Sequence, residues 1–215
     1  MGNSKLKERV RHLLEAIFTA LLFGTQTILN AGWAIGIMTL PLLPYVIGFV
    51  SGKANVEREI YALFFMKTVI VGRVIALIGV GVFLLAAIQF LWNRHRGVEL
   101  IRTGAYSVVR HPQFTGIIII TIGLTVMVMT YGFTSSQIAG LWLLQILGYI
   151  AIARYEEWRL SKRFGEDYRQ YKRKVPFLFP IKCPSIIPET LFTIFIAVLL
   201  SAVLMLFPYH LIRII

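Results

Sequence analysis

Four stretches of the chain contain no Asp, Glu, Lys or Arg: residues 16–52, 74–93, 113–153 and 190–212. A helix that crosses a bilayer needs roughly 20 apolar residues in succession. Residues 74–93 and 190–207 each satisfy that once. Residues 113–153 satisfy it twice, and their midpoint, Tyr131-Gly132-Phe133-Thr134-Ser135-Ser136-Gln137, is polar and contains glycine. This predicts a helical hairpin turning at 131–137. Residues 16–52 are too long for one span and short for two, and Pro41 and Pro44 interrupt them.

A different pattern follows the hairpin. Between residues 154 and 182, Leu160, Phe164, Tyr168 and Tyr171 recur at helical spacing among Lys and Arg. Such a helix is amphipathic and suited to a membrane surface, and Pro176 ends it.

Composition agrees with the pattern. Hydrophobic residues make up 57% of the chain and charged residues 15%, against about 25% charged in an ordinary soluble domain. Disorder is excluded by the amount of apolar surface to bury. No repeat, linker or low-complexity segment divides the chain, so residues 1–215 read as a single all-α membrane domain. The single cysteine, Cys183, excludes an intramolecular disulfide, a CxxC pair and any multi-cysteine metal site.

The net charge of +12 does not call for nucleic acid in a chain this apolar. It reads as the cytoplasmic bias of Lys and Arg in membrane proteins. Segments 1–11, 94–110 and 154–182 hold 17 of the 22 Lys and Arg, which places all three on the cytoplasmic side. The hairpin then returns to the side it left, and residues 1–52 must cross an odd number of times. The expected architecture is a bundle of about five spans, near 13–38, 74–93, 114–131, 137–154 and 189–207. The N-terminus is inside, the C-terminus outside, and residues 94–112 and 154–182 are cytoplasmic. The path of residues 39–62 stays open.

The hairpin brings its two basic flanks together, and a cytoplasmic site is most simply built there. On the first flank, Arg102-Thr103-Gly104-Ala105-Tyr106 leads into Val109-Arg110-His111-Pro112-Gln113-Phe114-Thr115-Gly116. Pro112 suits the first turn of a helix, so His111 falls at its cap, where free N–H groups favour a carboxylate or phosphate. Gly116 permits close approach of a ligand or another backbone. A plain helix start with a solvated Arg-His pair accounts for the same residues. On the second flank, Glu156 and Glu157 are adjacent at the mouth of a span. Both could be neutralised locally, Glu156 by Arg159 and Glu157 by Arg154, each at i,i+3. Alternatively one carboxylate faces a ligand. Adjacent helical residues point about 100° apart, so only one can do so. His12, His95 and His210 have no metal-ligand partners at suitable spacing, and no HExxH, GxSxG, P-loop or GxGxxG motif is present.

The string Gly104-Ala105-Tyr106, Arg110-His111-Pro112, Phe114 and Gly116, then a hairpin, then Glu156-Glu157, Leu160, Phe164-Gly165, Tyr168, Tyr171 and Val175-Pro176 resembles the isoprenylcysteine carboxyl methyltransferase family. That family is similar in turn to the phospholipid N-methyltransferases. The resemblance covers residues 95–180. It implies an S-adenosylmethionine-dependent methyltransferase with its cofactor on the cytoplasmic side. It also implies a lipophilic or membrane-permeant acceptor, such as an isoprenylcysteine carboxylate, a lipid amine or a small thiol, reaching the site from the bilayer. The cofactor positions it implies are the backbone of Val98, Glu99, Leu100 and Ile101, then Tyr106, His111, Pro112, Gln113, Phe114 and Glu156. At helical spacing Glu156, Leu160 and Phe164 share one face, which also carries the apolar residues expected to pack inward, while Glu157 shares its face with Arg154 and Ser161 and reads as a structural ion pair. Phe114 replaces a tyrosine of the family. Ile152 stands where the isoprenylcysteine enzymes carry a substrate-gripping arginine, which counts against a prenylcysteine carboxylate and leaves Arg154, on another face, as the substrate-binding candidate. The span at 190–207 lies beyond the family's motif.

Methyl transfer from a sulfonium is an in-line displacement that asks the protein for positioning and exclusion of water. No catalytic residue and no metal are therefore expected. Two other readings compete: an NADPH-dependent membrane reductase of the sterol-reductase type, which shares a related Arg-His-Pro motif, and a non-catalytic membrane protein. Ile117 after Gly116 counts against the reductase, which tends to carry an acidic residue there. The sequence names neither the acceptor nor an oligomeric state.

Overall fold

From residue 70 onward, the apolar tracts among the described residues fold into helices that pack side by side. A computed structural model describes residues 70–129 and 135–206, together with Met38, residues 40–44, residues 46–47 and Phe65. The chain divides into two compact units, Met1–Leu40 and Pro41–Ile215, and the second contains everything below. Its helices are α1 (Ile70–His95), α2 (Ala105–Val108), α3 (Pro112–Met129), α4 (Ser135–Lys174) and α5 (Glu189–Leu206). No strand occurs among the described residues. α1 and α4 are long and apolar enough to cross a membrane, and α3 and α5 are shorter apolar helices. The expected span near 13–38 and the path of residues 39–62 fall largely or wholly outside the described residues, and of the turn expected at 131–137, residues 135–137 already belong to α4 while 131–134 lie outside them.

Two expected boundaries move. α1 starts four residues before the charge-free tract and takes Arg73 into its first turn. The second helix of the hairpin does not stop at 154. It continues as α4 to Lys174, so span and amphipathic segment form one helix interrupted at Gly165, where φ is 52° and ψ is −121°. Glycine tolerates a positive φ that costs other residues about 1–2 kcal/mol. The bend turns the last helical turns so that Tyr168, Tyr171 and Val175 pack with Leu100, Leu160 and Phe164.

α1 and α3 run antiparallel in close contact through small residues. A Cβ at Gly79 would lie 2.5 Å from the Ile120 backbone nitrogen, one at Gly116 2.6 Å from that of Phe83, and one at Gly123 2.5 Å from that of Ala76. Gly116 therefore admits a neighbouring backbone. Without a strong hydrophobic drive between helices in an apolar medium, such small-residue seams supply the packing contacts. α4 packs against α3 through Trp142, Gln145 and Tyr149. The Trp142 indole and the Gln145 amide both donate to Thr121 Oγ1, at 3.2 and 3.1 Å, and Tyr149 stacks on Phe114. α5 lies antiparallel to α4, with Ser201 Oγ donating to the Ala139 carbonyl at 3.1 Å. The outer flanks of α1 and α5 leave Leu77, Leu85, Ile88, Phe195 and Val198 exposed.

Candidate functional site

The start of α3 is held from three directions. Pro112 is its first residue, as its missing N–H favours. The strap after α4 crosses it: the Arg110 N–H donates to the Pro176 carbonyl at 2.9 Å, and Thr115 Oγ1 donates to the Leu178 carbonyl at 2.6 Å. Below, Gln89 of α1 fixes the approach. Its side-chain amide donates to the Thr103 carbonyl, and its oxygen accepts from the Ala105 N–H at 2.9 Å. Gly104, with φ 60°, presents its backbone to that amide, and a Cβ there would lie 2.6 Å from it. The Gly104-Ala105-Tyr106 part of the string is thus a turn shaped around Gln89. Tyr171 Oη donates to the Tyr106 carbonyl at 2.6 Å, which joins the bent end of α4 to the same turn.

A charge cluster sits inside this frame. The Arg110 side chain, 1% exposed, contacts Glu157 Oε1 at 2.5 Å and is hydrogen-bonded to Glu189 at the start of α5. The Glu157 side chain, 3% exposed, is also paired with Arg154 at 2.8 Å and Lys172 at 3.1 Å. Buried His111 lies between the two glutamates, with Nδ1 3.5 Å from Glu156 Oε2 and Nε2 3.7 Å from Glu157 Oε1. Its ring stacks on Phe114 and meets Phe177 edge-on. Burial opposes the imidazolium, but the Glu156 and Glu157 carboxylates outweigh that and raise the His111 pKa above its ordinary value. Burial alone would raise Glu157 as well. The facing His111, Arg110 and Lys172 overcome it and hold that carboxyl down at about 2. Burial, aided by the Glu156 charge, pushes the Tyr106 phenol up.

The two glutamates exchange the surroundings expected of them. Glu157 does pair with Arg154, but as the centre of a buried cluster. The Glu156 side chain is 50% exposed and does not face inward with Leu160 and Phe164. The reason is the angle between them: α3 and the strap cover the side of α4 that carries Ala153 and Glu157, which leaves Glu156 on the rim.

Of the residues singled out by sequence, Tyr106, His111, Pro112 and Phe114 are buried around the start of α3, Gln113 is half-buried, and Glu156 borders His111. Leu100 packs against the cluster of Tyr168, Tyr171 and Val175, and Ile101 is buried. Val98 and Glu99 are exposed, with Glu99 paired to Arg163. Arg154 is half-buried and engaged by Glu157. Arg110 and His111 are buried and not the solvated pair that a plain helix start would give, and Lys172, Glu189 and Gln89 join the site without having been singled out by the sequence pattern. Glu189 was available as an acidic residue opening the last apolar tract, where a helix N-terminus favours it.

The donor set fits a polar, charged ligand at the rim. Tyr106 Oη and His111 Nε2 are buried without a hydrogen-bond partner, the Glu156 carboxylate is accessible, and the first turn of α3 carries N–H groups that have no partner within the helix.

The family model described as "Protein of unknown function (DUF1295)" matches residues 10–175. No curated protein and no solved structure matches the chain.

Proposed function

The chain belongs to the DUF1295 family, and we propose that it is an integral-membrane methyltransferase that uses S-adenosylmethionine and acts on a lipophilic or membrane-permeant acceptor. The observation that carries this reading is the rim of the cluster. A buried histidine at the start of α3, oriented by buried Glu157, lies beside half-exposed Glu156. The string Arg110-His111-Pro112 and the glutamate pair, which resemble the membrane methyltransferases, are the residues that meet there.

In this reading the first turn of α3 receives the cofactor's carboxylate. Glu156 accepts hydrogen bonds from its ribose hydroxyls or its ammonium. Tyr106 Oη supplies a further polar contact, and His111, whose Nε2 faces Glu157, holds Glu156 through Nδ1. Phe114, buried and stacked between His111 and Tyr149, backs the imidazole and fixes its plane. S-adenosylmethionine supplies an activated methyl group on a sulfonium, so the chain itself has only to orient two molecules and exclude water. Arg110 and Glu157 are positioning residues that hold His111 and the strap. The exposed apolar flanks of α1 and α5 are lipid-facing, the site is cytoplasmic, and the full bundle has about five spans.

The test is a methyl-transfer assay with methyl-labelled cofactor and purified protein. Total lipid extract and small lipophilic thiols, amines and carboxylates serve as acceptors. Label should pass to an organic-soluble product. Oxidation of NADPH by the purified protein in the presence of the same acceptors, with no label transferred, would contradict the proposal in favour of a membrane reductase.

A further inference from the structure

His111 sits between two carboxylates that differ in what else they hold. Its ring is 5% exposed, with Nδ1 3.5 Å from Glu156 Oε2 and Nε2 3.7 Å from Glu157 Oε1. Phe114, stacked on it, and Phe177, set edge-on, hold it in that orientation. Glu157 is shared with Arg110, Arg154 and Lys172, and Arg110 also reaches Glu189 of α5. Among the described residues, Glu156 is paired with His111 alone.

The charges around the ring balance. Arg110, Arg154 and Lys172 are three cations, and Glu156, Glu157 and Glu189 are three anions. The phenols of Tyr106 on α2 and of Tyr168 and Tyr171 on α4 border the cluster, and burial keeps them neutral. The cluster is therefore neutral when His111 is neutral and carries one positive charge when His111 is protonated. The two carboxylates facing the ring outweigh its burial and hold the proton above the ordinary histidine range, so the change falls above about pH 6.5.

A ligand at the rim meets one of these two states. S-adenosylmethionine and the S-adenosylhomocysteine it becomes differ by a methyl group and by the positive charge of the sulfonium. An imidazolium beside the rim repels that extra charge. It also occupies the Glu156 carboxylate, with which a cation would otherwise pair. We propose that His111 sets the preference of the site between the charged cofactor and its sulfonium-free product, and that loss of its proton turns the rim toward the cofactor. The inference rests on the cofactor reading and adds to it a proton-linked specificity.

The experiment is calorimetric titration of the full chain, purified in a non-ionic detergent, with each of the two ligands from about pH 6 to about pH 9. His111→Gln shows what the ionisation of the ligands themselves contributes. Relative to that variant, the ratio of product Kd to cofactor Kd should rise about fivefold or more across the range. Glu156→Gln, at a half-exposed position, is the second variant should His111→Gln fail to fold. It removes one of the two carboxylates that hold the proton, so the rise should come at lower pH. Magnetic resonance of the histidine ring in the ligand-free protein, with His12, His95 and His210 replaced by Gln, should show the titration of His111 moving down in the same variant. A ratio that does not change with pH relative to His111→Gln, or a His111 titration unmoved by Glu156→Gln, would overturn the proposal and leave the cofactor reading standing. Failure of both ligands to bind at every pH would overturn the two together.

Discussion

At the scale of single residues, the adjacent pair Glu156 and Glu157 separates two jobs that sequence alone assigns ambiguously. Glu157 holds three cations in a buried cluster. Removing one partner of such a cluster leaves uncompensated buried charge, at a cost of about 3–5 kcal/mol. Glu157→Gln should lower the melting temperature in detergent sharply, whereas Glu156→Gln, at a half-exposed position, should leave it nearly unchanged and weaken cofactor binding by about tenfold. Differential scanning fluorimetry combined with calorimetric titration separates the two effects. The cluster also sets a pH window. Glu157, depressed to about 2, contributes stability that is present above the ordinary carboxylate pKa and lost as pH falls toward 2. His111 is raised, so its contribution is full below about 6.5 and lost as pH climbs above that value. Thermal stability should therefore fall on both sides of the mildly acidic range, and His111→Gln should remove the alkaline fall alone. An alkaline limb that persists in His111→Gln would mean that another group titrates there.

At the scale of elements, the periodic and charge-free tracts make four helices legible: of the expected 74–93, 114–131, 137–154 and 189–207, the described parts 74–93, 114–129, 137–154 and 189–206 lie in helices. What could not be read was continuity and contact. Nothing in the charge pattern distinguishes a span followed by a surface helix from one long helix bent at Gly165, because both keep the same residues at helical spacing. Nor does it show that Gln89, within an apolar tract, serves a turn 14 residues later, or that Glu189 reaches back to Arg110. These are tertiary contacts without a local signature. The small-residue seam between α1 and α3 gives a direct check. A Cβ at Gly79 would collide with the Ile120 backbone, while one at Gly81 meets nothing within 4 Å. Gly79→Ala should destabilise the protein by about 1–3 kcal/mol. Gly81→Ala should stabilise it slightly, since alanine is the better helix former. Thermal melts of the two variants should shift in opposite directions.

At the scale of the whole molecule, the central claim is that an apolar bundle presents one polar rim, at His111 and Glu156, to a cofactor. The hairpin of α3 and α4 makes this possible by returning the chain to the same level, so that residues 110–114 and 154–157 meet although they are far apart in sequence. The most direct measurement is calorimetric titration of the purified protein with S-adenosylmethionine and, separately, with NADPH, repeated on Glu156→Gln. The account predicts binding of S-adenosylmethionine that weakens about tenfold in the variant, and no binding of NADPH. Binding of NADPH in place of S-adenosylmethionine, or S-adenosylmethionine binding that is indifferent to Glu156→Gln, would contradict it.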